Sequence, residues 1–211
     1  MFILQTKNAK HEKRRKEILK AASQAISEQG FNNITLQSIA DYAKVSKGVA
    51  SYYFKNKEDI LYHLLKFLTK IIYQNEALAI SKEKKALDML KTYVNAVFAG
   101  PSDNREFYRV YLEFLAQANH NENFRAVNQQ FYENCWYLGK KIIAAGQQEE
   151  VFNDIDLNRG AQAIRACIDG FLIQWLMIND DSKHLEYKNN CYTTLVAFLT
   201  NKNVIFLRDV K

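Results

Sequence analysis

The stretch TLQSIADYAKVSKGVASYYFKNKEDIL, residues 35–61, carries the signals of two short helices, a tight turn and the start of a third helix. Thr35 is placed to cap the first short helix, and Ser46 is placed to cap the second with its hydroxyl facing free backbone N–H groups. In a helix-turn-helix, the first helix lies across the phosphate backbone and the second enters the major groove. Four residues in the exposed first turns of the second helix are therefore predicted to meet base edges: Lys47, Gly48, Val49 and Ser51.

Positive charge is concentrated in the first quarter of the chain. Residues 1–57 contain eleven Lys or Arg against four Asp or Glu, a balance of +7, whereas residues 58–211 contain eighteen against nineteen. The basic run KHEKRRK, residues 10–16, opens a first long helix predicted from about Lys10 to Gln29. The buried stripe of this helix is predicted to consist of Ile18, Leu19, Ala22, Ala25 and Ile26. A basic run alone is usually a solvated helix end. Beside a helix-turn-helix it is expected to reach phosphates, so binding should weaken steeply with salt.

Composition predicts an all-α fold, because one proline and seven glycines in 211 residues leave long uninterrupted helical stretches. The two short helices are predicted at about 35–42 and 46–53, and further helices at about 57–75, 83–99, 103–118, 122–148, 157–179 and 184–200. Asn56 is placed to cap the helix at 57–75, and Asp156 is placed to cap the helix at 157–179. The three cysteines are widely spaced, which fits reduced thiols in the cytoplasm. We expect no signal peptide, no membrane span and no membrane partner, since no apolar run approaches about 18 residues. The cysteines and histidines show no metal-ligand spacing, so neither a metal nor a cofactor is expected.

The segment from Ile39 to Leu61 resembles the N-terminal helix-turn-helix of the TetR family of bacterial transcriptional regulators. The residues that carry the resemblance are Gly30-Phe31, Thr35, Ile39-Ala40, Ala43, Val45-Ser46, Gly48, Tyr53-Phe54, Lys57-Glu58 and Leu61. The resemblance implies a helix-turn-helix DNA-binding domain at residues 1–56 and a ligand-binding and dimerisation domain at residues 57–211. Two positions depart from the family pattern. Lys44 stands where the turn usually has glycine, and Ser51 stands where tyrosine is common.

The resemblance also implies the contacts that the module makes with DNA. Thr35 would lie on a phosphate and Gln37 near a base edge. Lys47, Gly48, Val49 and Ser51 would face bases and adjacent phosphates in the major groove. Four further residues would hold the DNA backbone: Tyr52, Tyr53, Lys55 and Lys57. Phe54 would belong to the core and make no DNA contact.

Aromatic stripes recur on several successive helices of residues 76–211, and helix bundles build ligand sites between facing helices. With the small-molecule site that the resemblance implies, they predict a pocket lined by Tyr93, Phe98, Tyr111, Phe114, Phe131, Trp136, Arg165 and Trp175. Aromatics at helical spacing are also typical of an ordinary core. Arg165 and Asp169 likewise fit a simple helix-stabilising pair at i,i+4.

The predicted function is that of a sequence-specific DNA-binding regulator, a repressor released from its operator by a small-molecule inducer. A homodimer formed through the last two, strongly apolar helices would bind a near-palindromic double-stranded DNA operator. These helices could equally complete the core of a monomer. The alternative function is a nonspecific or architectural DNA-binding protein without a ligand. An enzyme is not expected, because the sequence has no glycine-rich phosphate loop, no Cys or His cluster and no GxSxG-like turn.

Overall fold

The computed structural model describes residues 2–200, with side chains for residues 9–200. All regular structure within residues 2–200 is helical. In chain order the helices are α1 (Phe2–Gln29), α2 (Leu36–Tyr42), α3 (Lys47–Tyr53), α4 (Lys57–Ser81), α5 (Ala86–Val97), α6 (Pro101–Gln117), α7 (Glu122–Gln148), α8 (Leu157–Ile178), a 3-10 turn (Asp181–Lys183) and α9 (His184–Thr200). The predicted all-α fold is confirmed.

Helix boundaries agree with the predictions where the signals are local and differ where they are not. The helices α2, α3, α7, α8 and α9 begin and end within one residue of their predicted limits. The first helix begins at Phe2 instead of Lys10, and α4 continues beyond Asn75 to Ser81. The helix α5 begins later than predicted because the carboxylate of Glu149 accepts a hydrogen bond from the Ala86 N–H at 2.9 Å. Glu149 lies 63 positions further along the chain, so this cap was not visible in the local sequence.

The chain divides into two compact units. Within the described residues, unit 1 comprises residues 2–70 together with Glu106–Asn128, and unit 2 comprises Ile71–Arg105 together with residues 129–200. The helix-turn-helix therefore shares its unit with most of α6 and the first turns of α7. The functional boundary between residues 56 and 57 stays a prediction.

Unit 1 has a core built on the predicted apolar stripe of α1. The stripe residues are all buried: Ile18, Leu19, Ala22, Ala25 and Ile26. Gly30, at a φ of 81°, ends α1 and turns the chain. The Phe31 ring then packs edge-to-face on Phe114 of α6, with ring centroids 5.3 Å apart, and Phe114 packs in the same way on Phe124 of α7 at 5.2 Å. These aromatic contacts fasten α6 and the start of α7 to the helix-turn-helix module.

Unit 2 is organised around α8. Asp156 accepts a hydrogen bond from the Arg159 N–H at 2.9 Å and caps the helix, as predicted. A Cβ at Gly139 of α7 would lie 3.0 Å from the Cβ of Ala161, so a small residue is needed where α7 and α8 approach closely. Asn179, with a left-handed φ of 56°, ends the helix.

The helix α8 is also, within the described residues, the one helix long and apolar enough to cross a membrane by length and composition. We expected no stretch of this kind. Eight of its residues are buried, and Ile168, Leu172 and Trp175 are buried completely. A core helix passes the same test, so its composition is weak evidence for a membrane span.

Candidate nucleic-acid interface and buried charge cluster

The start of α2 is fixed by a reciprocal pair of hydrogen bonds. The Thr35 hydroxyl accepts from the Ser38 N–H at 3.0 Å, and the Ser38 hydroxyl oxygen accepts from the Thr35 N–H at 2.8 Å. This is a capping box in which serine takes the place of the more usual glutamate or glutamine. The predicted cap at Thr35 is therefore confirmed, together with the helix entry that it sets.

The turn between α2 and α3 has the conformation that a glycine would favour. Lys44 has a φ of 54°, and the Val45 N–H donates to the Ala40 carbonyl oxygen at 3.0 Å to close the turn. A side chain at positive φ is strained. The replacement of glycine by Lys44 thus leaves the turn intact at a cost in conformational energy.

The helix α3 turns almost all of its side chains outward. Ser46 accepts a hydrogen bond from the Val49 N–H at 3.2 Å and caps the helix as predicted. Ala50 is the residue of α3 that is buried, and Tyr52 is 74% exposed. The predicted base-contacting residues are all exposed: Lys47, Gly48, Val49 and Ser51. Because KGVASYY contains a lysine and no acidic residue, this exposed face suits an approach to phosphates.

The end of α3 is held by α1. The Arg15 Nη1 donates to the Tyr53 carbonyl oxygen at 2.6 Å, and the guanidinium lies 4.3 Å from the ring centroid of Phe54. Phe54 is buried, as predicted. The His11 ring lies 4.7 Å from that of Tyr53. The His11 contact was not predicted, since nothing in the sequence links His11 to a residue 42 positions away.

The residues of the basic run therefore occupy two different environments. Arg15 is half-buried and braces α3, whereas Lys10, Lys13 and Lys16 are exposed. Arg14 is exposed and pairs with Glu17, with Arg14 Nη1 and Glu17 Oε2 2.7 Å apart. The exposed lysines are free of described salt bridges among residues 9–200 and remain candidates for phosphate contact.

The start of α4 is capped by Asn56, whose Oδ1 accepts from the Asp59 N–H at 2.8 Å, as predicted. Lys57 is half-buried, and its ammonium donates to the Ile34 carbonyl oxygen at 2.8 Å. Lys55 is exposed. Gln37 is also exposed, with its amide donating to Asp41 Oδ1 at 2.8 Å. Of the ten predicted DNA-contacting residues, eight are exposed, and Tyr53 and Lys57 are half-buried.

The eight residues of the predicted pocket fall in both units, and their role as a ligand site stays a prediction. Tyr111 and Phe114 belong to unit 1, and the other six belong to unit 2. Phe98 and Trp175 both contact the ring of His184, at centroid distances of 5.6 and 4.7 Å. Trp136 is half-buried and stacks on Tyr132. The remaining three, Tyr93, Phe131 and Arg165, lie in or beside a cluster of buried ionisable groups in unit 2.

We define the buried charge cluster as Glu76 of α4, Tyr93 of α5, Cys135 of α7, and Arg165 and Asp169 of α8. Arg165 donates to Asp169 through Nε at 3.0 Å and through Nη2 at 2.5 Å. Its Nη1 lies 3.5 Å from the Cys135 sulfur and 3.8 Å from Glu76 Oε1. The guanidinium also stacks on the Phe131 ring, 5.0 Å from its centroid.

Glu76 is the least satisfied member of the cluster. Its exposure is 1%, and neither carboxylate oxygen has a hydrogen-bond partner among the described residues. The Tyr93 hydroxyl is also buried and lies near Arg165 without forming a well-directed hydrogen bond. Burial raises the pKa of Glu76 to about 7, with Arg165 opposing the rise and Asp169 adding to it. Burial likewise raises the pKa of the Cys135 thiol to about 12, so this thiol stays protonated.

Sequence reasoning missed Glu76 because it ended α4 one residue earlier. The helix places Leu65, Thr69, Glu76 and Ile80 on one buried stripe. Extending the spacing of three and four residues along α4 would have put an acidic residue on an apolar face. Within the described residues, no group of three or more His, Cys, Asp or Glu is placed to hold a metal ion.

Models of known protein families match both the N-terminal and the C-terminal part of the chain. The model of bacterial regulatory proteins of the tetR family matches residues 18–64, and the model of the BetI-type transcriptional repressor C-terminal region matches residues 86–198. The chain belongs to the TetR family. The N-terminal match covers the capped helices α2 and α3, and the C-terminal match covers most of unit 2.

Curated relatives within the TetR family match nearly the whole chain. The fatty acid metabolism regulator protein of Bacillus subtilis is 29% identical over 191 residues, which cover 88% of this chain and 95% of that protein. The transcriptional regulator BetI of Pseudomonas aeruginosa is 25% identical over 190 residues, covering 86% of this chain and 91% of that protein.

Solved structures share the fold. A transcriptional regulator from Saccharomonospora viridis in complex with choline has a TM-score of 0.82 at 22% identity, covering 90% of this chain and 100% of that chain. FadR from Bacillus subtilis in complex with stearoyl-CoA has a TM-score of 0.73 at 24% identity, covering 86% and 97%.

This TetR-family protein is a ligand-responsive DNA-binding transcriptional regulator. The alternative of an architectural DNA-binding protein without a ligand is not favoured, because the matched relatives are regulators over nearly their whole length.

Proposed function

We propose that the protein is a homodimeric repressor that binds a near-palindromic operator and leaves it when a small molecule binds in the C-terminal bundle. The observation that carries this proposal is the exposed, acid-free face of α3, held in place by Ala50 inside and by the Ser46 cap. A short helix that presents a lysine, a glycine and small side chains is suited to the major groove.

Exposure and position along the chain support the following proposed contacts with DNA. Lys47, Gly48, Val49 and Ser51 face bases and adjacent phosphates. Thr35 contacts a phosphate. The Gln37 amide breaks its hydrogen bond to Asp41 and approaches a base edge. Tyr52, Tyr53, Lys55 and Lys57 hold the DNA backbone; the ammonium of Lys57 is engaged with Ile34, which favours a contact through the amide groups at the start of α4.

Dimerisation through α8 and α9 is supported by apolar side chains that these helices leave exposed. Met177 is 67% exposed, and Leu185 is 58% exposed. Exposed apolar surface of this kind marks interaction sites. A two-fold dimer would place two α3 helices about one DNA turn, or a multiple of it, apart. The operator would then carry the same two-fold symmetry, and the protein would act on DNA in the cytoplasm.

Two ligand chemistries have precedents among similar structures, choline in one regulator and stearoyl-CoA in another. A ligand of either kind would act by binding the DNA-free state more tightly than the DNA-bound state. Moving a 1:99 population to 99:1 takes a differential affinity of about 5.5 kcal/mol. The helix α4 contains both Lys57 at its start and Glu76 near its end, so it is the element that we propose responds to the ligand.

DNase footprinting on the intergenic DNA that flanks the protein's own gene tests the proposal. At two salt concentrations, we expect one discrete and pseudo-palindromic footprint. Addition of choline or stearoyl-CoA to the footprinting reaction then tests release. Diffuse protection that vanishes at modest salt would instead support nonspecific binding, since specific affinity should exceed nonspecific affinity by roughly 10³ or more.

A further inference from the structure

Three side chains meet where α1 passes the end of α3. The His11 ring of α1 lies 4.7 Å from the Tyr53 ring and 6.2 Å from the Tyr52 ring, measured between centroids. The two tyrosine rings are 5.0 Å apart, edge to face. We call His11, Tyr52 and Tyr53 the α1–α3 ring cluster. Tyr52 is 74% exposed and the His11 side chain is 40% exposed, so the cluster is open to solvent.

Arg15 follows His11 by one helical turn, so both side chains of the basic run face the end of α3. The Arg15 guanidinium is already engaged, because it donates to the Tyr53 carbonyl oxygen and lies over the Phe54 ring. Arg15 is half-buried and positions the end of α3 from inside the protein. Of the two, His11 is the one that can still reach a ligand.

The two ring nitrogens of His11 have different surroundings. Nδ1 lies 3.8 Å from Glu12 Oε1, whereas Nε2 makes no hydrogen bond within residues 9–200. A neutral imidazole has one N–H, and an imidazolium has two. The protonated ring can therefore face Glu12 through Nδ1 and donate from Nε2 to an acceptor outside the protein at the same time.

We propose that protonated His11 binds a backbone phosphate of DNA beside the groove that α3 enters. This inference rests on the proposed function, because it adds a contact to the same DNA surface. Phosphate is the acceptor that suits this place: Lys10 and Lys13 are exposed neighbours in the basic run, and Tyr52 and Tyr53 are proposed to hold the DNA backbone. The face of the Tyr53 ring also favours a positively charged neighbour.

DNA affinity should then depend on pH in a defined direction. Histidine is the side chain that ordinarily changes charge between pH 5 and 8, and a phosphate favours its charged form. Binding therefore takes up a proton at His11, and the affinity rises as the pH falls from 8 to 6. The described groups that face His11 are Glu12 and Arg15 of α1 and the side chains of Tyr52 and Tyr53 of α3. Carboxyl, guanidinium and phenol groups do not ordinarily change charge in this range.

Fluorescence anisotropy with the full chain tests the contact on two duplexes of equal length. One is the intergenic DNA that flanks the protein's own gene, and the other has a random sequence. Because phosphate contacts do not depend on sequence, both duplexes report on His11. From pH 8 to pH 6, we expect the affinity to rise about threefold or more for each bound His11. The slope of log K against log salt should steepen by up to about one for each.

Two substitutions separate the charge of His11 from its packing. His11→Phe keeps a ring against Tyr53 but has no charge, so it should lose this gain in affinity and in salt slope at pH 6. His11→Arg is charged at every pH, so it should bind at pH 8 about as tightly as the unmodified protein binds at pH 6. Burial raises the pKa of Glu76 in unit 2 to about 7, within the same range. The contribution of His11 is therefore the difference between the unmodified protein and His11→Phe.

The matched control is His63→Gln. His63 packs on the Phe54 ring at 5.8 Å between centroids, so it is a second histidine beside the end of α3. This variant should keep the full pH dependence of the unmodified protein. Thermal melting establishes that each variant is folded. If His11→Phe does not fold, His11→Arg decides, because it should flatten the pH profile by the same amount.

The same pH dependence and salt slope in His11→Phe and in the unmodified protein would overturn the inference and make His11 a packing residue. A discrete footprint in that case would leave the proposed function standing. Conversely, a pH difference that His11→Phe removes on both duplexes, without any preference for the intergenic DNA, would support the phosphate contact and count against the sequence-specific repressor.

Discussion

Lys44 holds a left-handed backbone conformation, with a φ of 54°, in the turn that joins α2 to α3. A side chain in this conformation costs about 1–2 kcal/mol. Glycine avoids that cost, but it loses more conformational entropy on folding, which offsets part of the gain in stability. We expect Lys44→Gly to raise the free energy of unfolding, measured by urea denaturation, by up to about 1 kcal/mol. Lys44→Ala removes the same charge but keeps a Cβ, so it should leave the free energy of unfolding unchanged. An equal rise in the free energy of unfolding of both variants would show that the loss of the charge, and not the backbone conformation, causes the rise.

Lys55 and Lys57 are neighbouring lysines with different environments. Lys57 donates to the Ile34 carbonyl oxygen, whereas Lys55 is exposed. We expect Lys57→Ala to lower the free energy of unfolding by about 1 kcal/mol, since its ammonium is only half-buried. Lys55→Ala should leave stability unchanged and reduce the slope of log K against log salt by about one. The measurements are thermal melting and operator titration at several salt concentrations. A reduced slope without loss of stability in Lys57→Ala would make Lys57 a direct phosphate contact.

At the scale of the element, α3 contains a glycine in its first turn, Gly48, without a packing reason inside the protein. A Cβ at Gly48 would meet only the Ser46 hydroxyl, 3.8 Å away. Gly48→Ala should therefore stabilise the helix by about 0.5–1 kcal/mol. If DNA approaches α3 closely at this point, operator affinity should fall by about tenfold or more, a cost of about 1.4 kcal/mol or more. Gly170→Ala on α8, where a Cβ meets nothing within 4 Å, controls for helix propensity. Unchanged operator affinity in Gly48→Ala would place Gly48 away from the DNA.

How far the sequence could predict each element depends on how near its determinants lie. The caps Thr35, Ser46 and Asn56 act within three residues, and the sequence was sufficient to predict them. The start of α5 depends on Glu149, 63 positions away, and no local pattern reports that contact. Helix periodicity predicted that aromatic residues would be buried, but not which neighbours they would meet. The sequence therefore did not indicate that the eight predicted pocket residues would fall in both units, and it did not indicate the charge cluster around Glu76.

At the scale of the whole molecule, α4 belongs to both compact units, because it begins at Lys57 in one of them and ends at Ser81 in the other. The helix also follows α3 directly in the chain. We propose that a ligand bound in the C-terminal bundle releases DNA by discriminating between two positions of α4.

Dimerisation determines whether the molecule can read a two-fold operator at all. Leu185, in the first turn of α9, is 58% exposed, so Leu185→Glu should disturb the fold little. We expect it to yield a monomer in size-exclusion chromatography with light scattering, because a buried charge at an interface is costly. Operator affinity should then fall by about 10²-fold or more, since two linked half-site contacts become one. Leu78→Glu on α4 is the matched control: Leu78 is 59% exposed but lies outside α8 and α9, and the variant should remain a dimer. A dimeric Leu185→Glu together with a monomeric Leu78→Glu would move the interface from α8 and α9 to α4.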